Sequence, residues 1–96
     1  MLHPENRQLS LKKKLQAFET ACKDAGMKLT HQRLEIFREL ARATDHPSAE
    51  TLYKRLTKRL PTLSLDTVYR TLGTLENYGL INRVQTAESQ ARFGTP

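Results

Sequence analysis

Four short runs with a three-to-four-residue apolar period, each closed by its own stop signal, constrain this chain most. Leu11, Leu15, Phe18, Cys22 and Ala25 mark one face of a first helix, which Gly26 ends. Thr30 caps a second helix, whose apolar set is Leu34, Ile36, Phe37, Leu40 and Ala41, and Asp45-His46-Pro47 breaks it. Ser48 caps a third, with Ala49, Leu52, Tyr53, Leu56 and Leu60 buried, and Pro61 stops it. Ser64 caps a fourth, with Leu65, Val68, Leu72 and Leu75 inward, and Gly79 closes it.

The period then changes. Leu80 to Thr86 alternates loosely, Ala87-Glu88-Ser89 reads as a turn, and Gln90 to Gly94 reads as a return strand. The expected fold is therefore mainly α: a winged helix-turn-helix of four helices followed by a two-stranded β-hairpin wing. Residues 1–9 are expected to form a flexible arm, and residues 10–94 one winged-helix domain. At 96 residues there is room for one modest core and no large cavity of its own.

Charge narrows the partner. Sixteen Lys and Arg against ten Asp and Glu leave a formal net charge of +6, which favours a polyanion. No run of apolar residues is long enough to span a membrane, and the first residues lack the apolar stretch of a secretory signal. The single cysteine, Cys22, cannot form an internal disulfide and falls on the apolar stripe of the first helix. A cytoplasmic, membrane-free location is expected.

The fourth helix carries the candidate chemistry. With its apolar stripe inward, Asp66, Arg70, Gly73, Thr74 and Asn77 face out, flanked by Thr67 and Tyr69. Arginine can donate two hydrogen bonds to guanine. Tyrosine and threonine offer a hydroxyl for phosphate and apolar surface for a thymine methyl. In a helix order of this kind, the helix before the wing enters the major groove. Tyr69, Arg70 and Thr67 are therefore candidate base contacts. Lys28 is a candidate for the minor groove, and Arg33, Ser64, Thr71, Thr74 and Lys54 are candidates for the DNA backbone. Arg55 and Lys58 are further basic residues that could hold backbone.

Enzyme chemistry finds no support. There is no phosphate-cradling glycine loop, nucleophile motif or acid pair at useful spacing. His3, His31 and His46 lie far apart and no Cys-x-x-Cys occurs, so the chain cannot close a four-ligand zinc site alone. A winged-helix module that binds a partner protein, without reading DNA, is the alternative function.

Several blocks together resemble the DNA-binding half of the ferric uptake regulator superfamily. They are Gly26-Met27-Lys28-Leu29-Thr30-His31-Gln32-Arg33, His46-Pro47-Ser48-Ala49-Glu50-Thr51-Leu52-Tyr53 and Leu63-Ser64-Leu65-Asp66-Thr67-Val68-Tyr69-Arg70-Thr71-Leu72. Gly79-Leu80-Ile81 and Ala91-Arg92-Phe93 continue the match. The resemblance implies a bacterial metal-dependent or peroxide-responsive repressor that binds an AT-rich palindromic operator in double-stranded DNA as a homodimer. It implies that Tyr69 meets thymine, that Arg70 lies near guanine and that Lys28 enters the minor groove. It makes His46 a ligand of the regulatory metal, which is Fe, Zn or Mn in full-length relatives.

Two departures qualify the resemblance. Relatives continue into an α/β dimerisation and metal-sensing domain, whereas this sequence stops at Pro96, and that domain is expected to be absent from the chain. Many relatives also carry an acid where this chain has Gly94. No stably bound cofactor is expected for this chain alone.

Overall fold

A computed structural model describes the backbone of residues 4–84 and 90–95, with side chains from residue 11 onward. The element order is α1 (Pro4–Asp24), α2 (His31–Arg42), α3 (Ala49–Leu56), α4 (Leu65–Asn77), β1 (Asn82–Val84) and β2 (Arg92–Gly94). The two strands pair antiparallel, with Asn82 opposite Gly94, Arg83 opposite Phe93 and Val84 opposite Arg92. The expected class, four helices and a two-stranded wing, is the observed one. The expected turn at Ala87-Glu88-Ser89 lies outside the described residues.

Cap chemistry sets the helix starts. Thr30, Ser48 and Ser64 are all extended, and each accepts a hydrogen bond from the backbone N–H three residues on, at Arg33, Thr51 and Thr67. Each bond satisfies a donor that the first helical turn cannot pair internally. Two ends share one device. Gly26 and Gly79 have φ of 70° and 74°, and the chain folds back through Met27 N–H to Cys22 O and Leu80 N–H to Leu75 O. Only glycine enters that left-handed region without steric cost, so these two positions punctuate the helices.

Three boundaries differ from the sequence expectation. The stretch expected as a loose arm is helical from Pro4. Proline suits a first helical position, because its missing N–H would have no partner there. Ala25, expected on the buried face of α1, is exposed, because the glycine turn that follows swings the chain away. The third helix ends at Leu56 rather than running to Leu60; residues 57–59 form a turn. Pro61 restricts the residue before it, so the helix unwinds ahead of the ring.

The core is one cluster drawn from every helix and the wing. Phe18 and Cys22 of α1 meet Ile36, Phe37 and Leu40 of α2, and Leu52 and Leu56 of α3. Val68, Leu72 and Leu75 of α4, with Ala49, Leu63, Ile81 and Phe93, complete it. The Phe18 and Phe37 rings stack with centroids 4.1 Å apart, joining α1 to α2. Phe93 seats the wing, and its N–H donates to Pro47 O at 3.1 Å. Arg92 donates to His46 O at 3.1 Å, so β2 is fastened to the loop between α2 and α3.

Candidate nucleic-acid interface

The amphipathic stripe of α4 fixes which of its side chains can be reached. Val68, Thr71, Leu72 and Leu75 are buried, and the opposite face is left outside. Tyr69 is 46% exposed, and the Arg70 side chain is 82% exposed. Between this helix and the start of α2 lies an open cleft of about 420 Å³. It gathers six of the residues expected to touch DNA: Lys28, Arg33, Thr67, Arg70, Thr71 and Thr74. Thr30 and Gln32, absent from the expected set, also line it. Three cations and, among the described residues, no carboxylate line it. The cleft also opens at the N-terminus of α2, where the helix dipole favours an anion.

The expected residues do not all present themselves freely. Arg33 turns back, its Nη1 donating to Lys28 O at 2.6 Å, so it holds the Lys28 segment in place beside α2. Thr71 is only 6% exposed, because it completes the inward stripe three residues after Val68 and makes part of the cleft floor. The Ser64 hydroxyl accepts from Thr67 N–H at 3.1 Å and lies 2.8 Å from the Thr67 hydroxyl. Arg70 is paired with Asp66 one helical turn back, at 3.0 Å and in full solvent. Gly73 has nothing within 4 Å of where a Cβ would sit, which leaves open space on the outer face of α4.

Lys54 is exposed on α3, and neither it nor Tyr69 and Ser64 lines the cleft. Lys58 is exposed in the turn after α3. Arg55 is engaged by Asp45 in a two-pronged pair, with Nη2 at 3.1 Å from Oδ2 and Nη1 at 3.5 Å from Oδ1. That pair holds the Asp45 carboxyl below its ordinary range.

One contact escaped the sequence reading. The Tyr69 hydroxyl donates to Glu50 Oε2 at 2.6 Å, linking α4 to the first turn of α3. The bond lowers the Glu50 carboxyl below its usual value, and Gln90 adds to the effect by hydrogen bonding. The same bond raises the Tyr69 phenol. Both residues were visible in the sequence blocks, but no spacing rule pairs positions on separate helices.

His46 is exposed and its ring lies against Gly94, so that a Cβ at 94 would come within 2.9 Å of Nδ1. A side chain at 94 would thus point straight at the imidazole, and glycine brings no donor there. Among the described residues no group of three His, Cys, Asp or Glu could hold a metal ion. One imidazole does not hold a divalent ion firmly, so these residues do not fit a metal centre by themselves.

A model of the ferric uptake regulator family matches residues 24–95. The chain belongs to this family. It is 39% identical over 77 residues to the ferric uptake regulation protein of Rhizobium leguminosarum bv. viciae. That match covers 80% of this chain and 54% of the relative. It is 29% identical over 84 residues to the peroxide-responsive repressor PerR of Staphylococcus epidermidis, covering 88% of this chain and 56% of that one. The solved structure of GAS PerR-Zn-Zn superposes with a TM-score of 0.82 at 23% identity, over 85% of this chain and 53% of the other, which shows the fold. The chain spans about half the length of these relatives. These relatives are regulators and repressors by name, not enzymes. Among the described residues no helix is long and apolar enough to cross a membrane.

Proposed function

We propose that this winged-helix domain reads double-stranded DNA in a sequence-specific way and serves a metal- or peroxide-responsive transcriptional repressor. The cleft between α2 and α4 carries this reading: three cations, hydroxyls and a helix N-terminus converge beside the exposed face of the helix that precedes the wing. A groove wall and its phosphates suit such a surface, whereas an uncharged partner does not.

In this arrangement Arg70 leaves Asp66 to donate to a guanine edge. Tyr69 and Thr67 meet neighbouring bases. Lys28, propped by Arg33, reaches toward the minor groove, and Ser64, Thr74 and Lys54 touch phosphates, with Thr71 limited to the cleft floor. The operator is an AT-rich palindrome, and two copies of the domain, brought together as a homodimer, read its halves in the cytoplasm. His46 supplies one donor to a metal site (Fe, Zn or Mn) that needs ligands from elsewhere.

Gel-shift titration tests the reading. The domain should bind a duplex selected from a randomised library more tightly than random DNA, and Arg70→Ala should cost about 1–3 kcal/mol per half-site and relax specificity. Equal affinity for both duplexes at low salt would refute it.

A further inference from the structure

The one donor of the Tyr69 hydroxyl is already engaged. It donates at 2.6 Å to Glu50 Oε2, across a gap of 19 positions and between two helices. A phenol has one proton to donate, so Tyr69 keeps only its ring and the oxygen lone pairs for another partner. Glu50 is itself well placed. It sits in the first turn of α3, where the helix dipole favours a carboxylate, and the cap of that helix, Ser48, is buried at 2% exposure. Tyr69 as a residue remains 46% exposed.

This arrangement selects what Tyr69 can read. A phosphate approaching the hydroxyl would bring its charge up to the Glu50 carboxylate and be repelled. An apolar group meeting the ring meets no such penalty. In the major groove the apolar group on a base edge is the thymine methyl.

We infer that Glu50 is a positioning residue: by holding the Tyr69 hydroxyl it fixes the ring as an apolar reader of a thymine methyl. The inference rests on the DNA-reading function proposed above. It separates Tyr69 from its neighbour Arg70, which reads by donating hydrogen bonds and is held by an exposed ion pair within its own helix.

The experiment uses the duplex selected by the wild-type chain and a series in which each thymine is replaced in turn by deoxyuridine, which lacks the methyl. If the wild type does not prefer the selected duplex over random DNA, DNA reading itself fails and this inference falls with it. Given that preference, one thymine per half-site should show a loss of about fourfold on methyl removal, the value of one CH₂ group in an apolar contact. Glu50→Ala, Tyr69→Phe and the double variant should all abolish that discrimination to the same extent, because each breaks the one tether. Glu50→Gln should keep it, since an amide oxygen accepts the same bond. A Tyr69→Phe loss exceeding that of Glu50→Ala, additive losses in the double variant, or no thymine effect in the wild type would overturn the inference. So would failure of Glu50→Gln to rescue.

Discussion

The two side chains expected to read bases are both restrained by an acid, and the two restraints differ in kind. Arg70 and Asp66 are 82% and 72% exposed, so water screens the pair and it is worth at most about 1 kcal/mol. DNA can displace it at little cost. Asp66→Asn should therefore leave the thermal unfolding free energy within about 0.5 kcal/mol of wild type. The Tyr69–Glu50 bond is shorter and joins two helices. It holds Glu50 below the ordinary glutamate value, so its contribution to stability is complete above the unfolded pKa and fades as pH falls through the folded one. Carboxyl NMR titration should find Glu50 low in the wild type and shifted up, back toward the usual glutamate value, in Tyr69→Phe. The outward placement of Tyr69 and Arg70 was legible, because a helical period fixes which face a residue takes. Their partners were less so. Asp66 lies one turn from Arg70 and could be paired by spacing. The Glu50 contact and the Arg33 bond to Lys28 O depend on how chain segments fold against one another, and periodicity carries no such information.

At the scale of elements, the three capped helix starts were read well, whereas the start of α1 and the end of α3 were misplaced. Caps are local: a hydroxyl, its extended backbone and an N–H three residues on are all encoded within one turn. Ser48 is the most constrained of the three, buried and also donating to the Thr51 hydroxyl at 3.1 Å. Ser48→Ala should cost about 1–2 kcal/mol in chemical denaturation. Gly79 has φ of 74° and open space where a Cβ would stand. Gly79→Ala should therefore cost about 1–2 kcal/mol through backbone strain alone, with no clash to relieve. The end of α3 was misplaced because Pro61 marks where a helix is forbidden, not where it stops. Arg59 and Leu60 N–H both close on Leu56 O, so the chain turns off the helix before the proline arrives.

For the whole molecule, one core joins all four helices and β2, and the margin is thin. A domain of this size has about 5–15 kcal/mol of stability. Phe18 is 1% exposed and stacked on Phe37, so Phe18→Ala should cost about 3–5 kcal/mol and lower the melting temperature sharply. The sequence showed that such a core exists, since the apolar stripes of four helices must face something. It did not show the cleft, because a cleft is the space left between α2 and α4 once both have packed.

The bond from Phe93 N–H to Pro47 O has one more consequence, and it concerns how the protein behaves in a crowded solution. A strand whose outward donors are unpaired is a template on which other chains can add strands and aggregate. Here β2 pairs with β1 on one side, while its central donor on the other side is already occupied by the loop ahead of α3. The tether that seats the wing therefore also blunts an edge through which copies of this domain could otherwise stack.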